Sequence, residues 1–260
     1  MKPISRFLLI TTLLLTVFAF GLNPLPALAS PAAVTGQKLA IPSYFDPPNA
    51  LWTRLENGAP IVGLAIINPN SGPGANRDPN YAAEVQRMRA KGIIVLGYVD
   101  TAYGARVAAA VKSDVNRYYV WYGVNGIFFD EASNDCAKKS YYQALYNYVK
   151  AKSATAKVVI NPGTNTPECY ITTADIIINF ESAYSAYLTW KPSGWEVKYP
   201  ASRFWHLVYA TPQASLANAI TLSKNRHAGW VYVTPDTLNN PWDTLPPGAY
   251  WAAELNLAKQ

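Results

Sequence analysis

The chain has 260 residues, with 22 Lys and Arg against 16 Asp and Glu, a formal charge of +6. The basic residues are scattered and form no stripe, which argues against a nucleic-acid partner. Two His and two Cys are too few for a zinc site of the usual ligand types.

Residues 1–29 have the pattern of a secretory signal peptide. Lys2 and Arg6 precede the apolar stretch FLLITTLLLTVFAF, and Ala27-Leu28-Ala29 supplies small residues around a cleavage point. No later stretch approaches about 18 unbroken apolar residues, so no integral membrane span is expected after cleavage. The expectation is a secreted or periplasmic protein whose folded part is residues 30–260. Loss of Lys2 and Arg6 takes the charge from +6 to +4, leaving room for weak attraction to an anionic cell surface. In an exported chain, Cys136 and Cys169 predict one disulfide closing a loop of about thirty residues.

Eight short apolar runs follow in order: LAIPSYF (39–45), IVGLAIINP (61–69), IIVLGYV (93–99), GIFFDE (126–131), KVVINPGT (157–164), DIIINFES (175–182), FWHLVYA (204–210) and GWVYVTP (229–235). Each has the length and Val/Ile/aromatic content of a buried strand. Helical patterns separate most of them: 81–92, 105–122, 138–152 and 215–226, with 246–259 as a closing helix. The stretches 50–57 and 165–174 are poorer helices. Strand–helix alternation repeated eight times predicts a single (β/α)8 TIM barrel with eight parallel strands. A doubly wound open sheet is the competitor, but no strand is followed by G-x-G-x-x-G.

Polar residues gather at the strand C-termini, where barrel active sites form: Asn68, Tyr98 with Asp100, Asp130 with Glu131, Asn161, and Glu181. Strict alternation across IIINFE puts Glu181 on the face of Asn179 and Ile177, opposite Phe180, Ile178 and Ile176, and so toward the barrel axis. Asp130 shares the face of Phe128 and Gly126, while Glu131 needs the turn into its loop to reach the mouth. Strands four and six are next-but-one neighbours, about 10 Å apart. Their carboxyls can then stand about 5–9 Å apart, which spans both spacings used in glycoside hydrolysis. Tyr44, Tyr103, Tyr184, Tyr187, Trp190, Trp195 and Trp242 fall in rims or loops, and such amphipathic rings suit sugar faces. His206 reads as an interior imidazole and His227 as a surface residue. No G-x-S-x-G elbow is present.

Read in order, INPNSGPG (67–74), GYVDTAYGAR (97–106), VNGIFFDEAS (124–133), VVINPGT (158–164) and INFESAY (178–184) resemble the spherulation-specific, spherulin-4-like family. That family is grouped with glycoside hydrolase family 135, whose characterised fungal members cleave an α-1,4-linked, galactosamine-containing exopolysaccharide. The resemblance implies a secreted barrel enzyme with catalytic residues at Asp130, Glu131 and Glu181. It implies site-lining roles for Asn68, Tyr98, Thr101, Tyr103, Asn161 and Tyr184. The expected activity is endo-acting hydrolysis of an amino-sugar polysaccharide, with no cofactor and no metal. Glu131 would be the acid, Glu181 the nucleophile or base, and Asp130 the group orienting Glu131. In a second version the substrate's acetamido group attacks, Asp130 holds it, and Glu181 binds sugar. The other class of function is a non-catalytic carbohydrate-binding or matrix protein using the same cleft.

Overall fold

The computed structural model describes residues 33–260, so the expected signal segment lies outside the described residues. The strands are β1 Lys38–Ser43, β2 Val62–Ile67, β3 Ile94–Asp100, β4 Gly126–Asp130, β5 Lys157–Ile160, β6 Ile176–Ala183, β7 Phe204–Tyr209 and β8 Trp230–Val233. Each pairs in parallel with the next, and β8 pairs with β1, so the sheet closes into a barrel. Closure disposes of the open-sheet alternative.

The helices are α1 Ala50–Asn57, α2 Pro79–Ala90, α3 Ala108–Arg117, α4 Lys139–Lys152, α5 Tyr184–Thr189, α6 Leu216–Asn225 and α7 Gly248–Lys259. Local chemistry sets their ends. The Asn49 and Asp78 side chains accept the N–H groups of Leu51 and Asn80, satisfying donors that a first turn leaves free. Gly92 follows α2 with φ 77°, the left-handed geometry that glycine adopts without strain. The weak pattern at 50–57 is a true helix, α1. That at 165–174 is only a 3-10 segment, Glu168–Thr172, so β5 and β6 are joined without an α-helix.

Both faces of the strands are covered. Every residue of β2 is buried, as a sheet enclosed by helices requires. Inside, Tyr98, Phe128 and Trp205 meet across the barrel, with ring centroids 5.9 and 6.2 Å apart. Tyr98 aligns with Phe128, and Asp100 with Asp130, so this inward face ends in two carboxylates. Gly126 begins β4 because a Cβ there would sit inside the backbone of Lys157.

The register of β6 corrects the strict alternation. Ile178 aligns with Trp205 and Phe180 with His206, so Asn179 is an extra residue in a bulge. Ile176 aligns with Val159, which aligns in turn with Phe128. Ile176 and Ile178 therefore share the inward face, and Phe180 packs outward on Tyr187 and Trp190. Glu181 still points inward, but only because the bulge resets the parity.

Cys136 and Cys169 form the expected disulfide, 33 residues apart, tying the loop after β4 to the 3-10 segment after β5. Replacing both cysteines by serine is expected to lower the unfolding free energy by about 3–4 kcal/mol. Urea denaturation of the double variant measures this, and an unshifted midpoint would show that the bond does not constrain the unfolded chain.

Candidate active site

Two carboxylates from different strands share one amide. Asn161, directly after β5, donates from Nδ2 to Asp130 Oδ1 at 2.8 Å and to Glu181 Oε2 at 2.6 Å. Trp242, in the loop after β8, donates from Nε1 to the other oxygen of Glu181 at 3.2 Å. Gly163 fixes the base of that side chain: its own backbone is left-handed at φ 67°, and its carbonyl accepts the Glu181 N–H at 3.0 Å. Tyr98 lies near enough to the Asp130 carboxyl to favour its ionised form, and the Tyr44 ring stands edge-on to Tyr98 at 5.7 Å.

Glu131 reaches the mouth through its backbone. Its φ of 46° is left-handed, so the chain turns out of β4 and leaves the side chain exposed. Such a conformation in a residue with a Cβ must be held by its surroundings. Thr101 does this. Its Oγ1 lies 2.8 Å from the Asp130 carbonyl, 2.9 Å from the Glu131 carbonyl and 2.9 Å from the Tyr142 hydroxyl. Ser133 N–H donates to the Tyr142 oxygen, which leaves the phenol proton for Thr101 and the threonine proton for the two carbonyls. Thr101 has 0% exposure. It is therefore a clamp beneath the acids, which corrects the expectation that it lines the sugar site.

Asp100 completes the group. Its Oδ1 accepts the Ala102 N–H at 2.6 Å, and its charge bears on the Glu131 carboxyl. Ala102, Tyr103 and Gly104 are consecutive left-handed residues. They leave Tyr103 exposed, in the field of all four acids.

The electrostatics follow from crowding. Burial first, then the charge of Asp130, pushes the Glu181 pKa up to about 7, against the pull of the Asn161 and Trp242 donors. Asp130 is raised by burial but opposed by Tyr98, the Glu131 N–H and Asn161. Glu131 is raised by desolvation and then by Asp100. As pH falls through about 7 the bridged pair thus takes up a proton on Glu181.

Other expected residues have different work. Asn68 Oδ1 accepts the Gly72 N–H at 2.9 Å within the loop after β2. The Tyr184 hydroxyl accepts the Asn218 amide of α6 at 2.8 Å. Neither has a hydrogen bond to the acids. Tyr187 and Trp190 pack with His206 on the outer side of β6 and β7, and Trp195 packs on Phe204, so these three are packing residues. His206 is buried, bonds the Tyr187 hydroxyl at 2.7 Å, and is held neutral by burial and by Arg226, its pKa lowered to about 3. His227 is half-buried and bonded to the Tyr199 carbonyl. Asp100 and Trp242 were visible only as a strand-end acid and a loop aromatic, and no sequence signal tied either to the acidic group. A cleft of about 430 Å³ opens beside Glu181, bordered by Gly163, Thr164, Ser182, Thr189 and Trp190.

A closed parallel barrel with acidic strand ends defines the class of protein. The chain belongs to spherulation-specific family 4, whose model matches residues 38–258. It is 34% identical over 209 residues to Spherulin-4 of Physarum polycephalum. That match covers 76% of this chain but 63% of the relative, so the chain spans less than two thirds of that protein's length. The crystal structure of Aspergillus clavatus Sph3 in complex with GalNAc superposes with a TM-score of 0.76 at 24% identity, covering 87% of this chain and 98% of that one. A family 18 chitinase, ChiB of Flavobacterium johnsoniae, superposes with a TM-score of 0.52 at 9% identity, covering 85% and 94%. These likenesses establish the shared fold.

The titration of Glu181 carries the sign of the pair. Because its folded pKa lies above the ordinary 4.5, its protonated form stabilises the fold. That contribution is complete below about pH 4.5 and is lost as pH rises through about 7. In Asn161→Ala, the Glu181 midpoint read by carbon NMR is expected to move above about 7, since a donor to the carboxylate is gone. An unmoved midpoint would show that the amide does not hold the pair.

Proposed function

We propose that the protein is a secreted, endo-acting glycoside hydrolase for an amino-sugar exopolysaccharide containing galactosamine or N-acetylgalactosamine. The observation that carries the reading is the convergence of Asp130, Glu131 and Glu181 on one mouth, with proton-holding and ionised carboxyls side by side. Family membership supports it, as does the barrel shared with Sph3, a protein solved with GalNAc.

Each role follows from environment. Glu131 is the general acid: it is exposed where a glycosidic oxygen can arrive, and desolvation and the neighbouring charge of Asp100 raise its pKa. The charge of Asp100 bears on it more than that of Asp130 does, and so helps it keep its proton. Asp130 is the ionised member of the bridged pair: it holds the N–H of the substrate's acetamido group while that group's oxygen bonds to the anomeric carbon and the leaving oxygen takes the Glu131 proton, after which water opens the ring so formed. Glu181 keeps its proton near neutrality and donates it to a sugar oxygen, which favours the version in which Glu181 binds sugar. Tyr103 offers its ring to the sugar at the rim. Water and carboxyl groups supply the chemistry, and no cofactor enters.

The test is release of reducing ends from partly acetylated galactosamine polymers. Glu131→Gln and Asp130→Asn are expected to lose about 10³-fold in kcat. Glu181→Gln, which still offers a donor, should lose only about tenfold. Tight polymer binding with no release by the unmodified protein would instead favour a binding module, and full activity in Glu131→Gln would remove the assignment of the acid.

The pH profile is a separate expectation. With Glu181 required in its protonated form, activity should fall as pH rises through about 7, and Glu181→Gln should lose that limb. A profile whose alkaline limb survives the substitution would return Glu181 to the part of base.

A further inference from the structure

The end of the barrel away from the acids carries a crevice of about 420 Å³, lined by Arg89, Tyr119, Asn125, Ser153, Thr155 and Lys157 among others. Asn125 immediately precedes β4 and Lys157 begins β5, which places this crevice at the strand N-termini. Its lining includes two cations, an aromatic ring and three small polar side chains, and no carboxylate. Arg89 is fixed by its bond to the Gly123 carbonyl at 2.7 Å. Asp175 is occupied by Lys150 at 3.0 Å.

The cationic surface continues up the helices. Lys152 stands over the Tyr119 ring at 5.5 Å and over the Tyr148 ring at 4.8 Å, and Lys112 stands over the same Tyr148 ring at 5.0 Å. The Tyr148 hydroxyl donates to Asn116 at 2.8 Å, which holds its ring in place. Helix α4, KSYYQALYNYVKAK, contains no Asp or Glu. Among the described residues, Arg89, Lys112, Lys152 and Lys157 enter none of the ion pairs. Like charges gathered around fixed rings, with no counter-charge of their own, complement an anion. The rings add a preference that phosphate alone does not satisfy, because they match the C–H faces of sugars.

We propose that this face is a second glycan site, which binds an acidic, uronate-bearing polysaccharide. A uronate carboxylate enters the crevice between Arg89 and Lys157, the sugar ring lies against Tyr119, and the chain runs on past Lys152 and Lys112 beside Tyr148. The site would hold the protein on an acidic matrix while the opposite end of the barrel stays open. It stands independently of the glycosidase reading.

The test is calorimetric titration of the protein with sodium polygalacturonate at low and physiological salt. The unmodified protein is expected to bind, more weakly as salt rises. Arg89→Glu/Lys157→Glu should weaken binding at least about tenfold. Lys191→Glu/Lys259→Glu, an equal change of charge at exposed positions elsewhere, should leave it unchanged. Tyr119→Ala should weaken polygalacturonate binding and not that of polyphosphate. If the Arg89 variant loses its fold, Lys112→Glu/Lys152→Glu carries the same expectation. No binding, or equal losses in the site and control variants, would overturn the site. Polyphosphate binding as tight as polygalacturonate binding, with neither sensitive to Tyr119, would overturn the assignment to sugar.

Discussion

A single side-chain amide holds the mouth of this barrel together. Asp130 and Glu181 come from strands that do not pair with each other, and both are drawn out of bulk water into surroundings where two like charges repel strongly. Asn161 stands directly after the strand between them and donates from one nitrogen to both. That bridge fixes the distance between the carboxyls and, with burial, sorts their protons. Neither carboxyl could be so placed by its own strand alone. The parallel register supplies the remaining requirement, since β4, β5 and β6 must all end at one level for the amide to reach both ways.

The second constraint is the turn that follows β4. A run of apolar residues ends in adjacent acids, and alternation sends only the first of them inward. The left-handed backbone of Glu131 brings the second to the rim, and the Thr101–Tyr142 pair holds that turn by its carbonyls. The Cys136–Cys169 bond stands behind the same loop. Its effect on the acids is indirect: it restrains the segment whose backbone carries Ser133, a donor to Tyr142.

The strands, the parallel closure and the three acids could be read from the sequence because each leaves a periodic or positional mark. A buried parallel strand is a short apolar run, and a barrel site is a polar residue where such a run stops. What escaped was whatever depends on a partner distant in sequence. Thr101 sits in a motif full of site residues, yet it is wholly buried and acts on backbone carbonyls, a distinction that residue type does not express. Asp100 looked like one more strand-end acid until register placed it beside Asp130 and its side chain met Glu131. Trp242 reaches Glu181 across 61 residues of chain. The direction of Glu181 was anticipated for the wrong reason, because an unmarked bulge at Asn179 changed the parity on which the argument rested.

The two ends of the barrel differ in charge for reasons that lie in their construction. At the strand C-termini the acids are crowded, partly buried and supplied with N–H donors, and burial raises the pKa of Asp130, Glu131 and Glu181. At the N-termini the cations enter none of the ion pairs among the described residues, and Lys112 and Lys152 rest on tyrosine rings. Salt therefore acts unequally on the two ends, screening the exposed cations far more than the enclosed carboxyls. The acidic end is tuned by pH near neutrality and the basic end by ionic strength. A protein built this way can be held on an anionic surface by forces that do not alter the protonation of its acidic mouth.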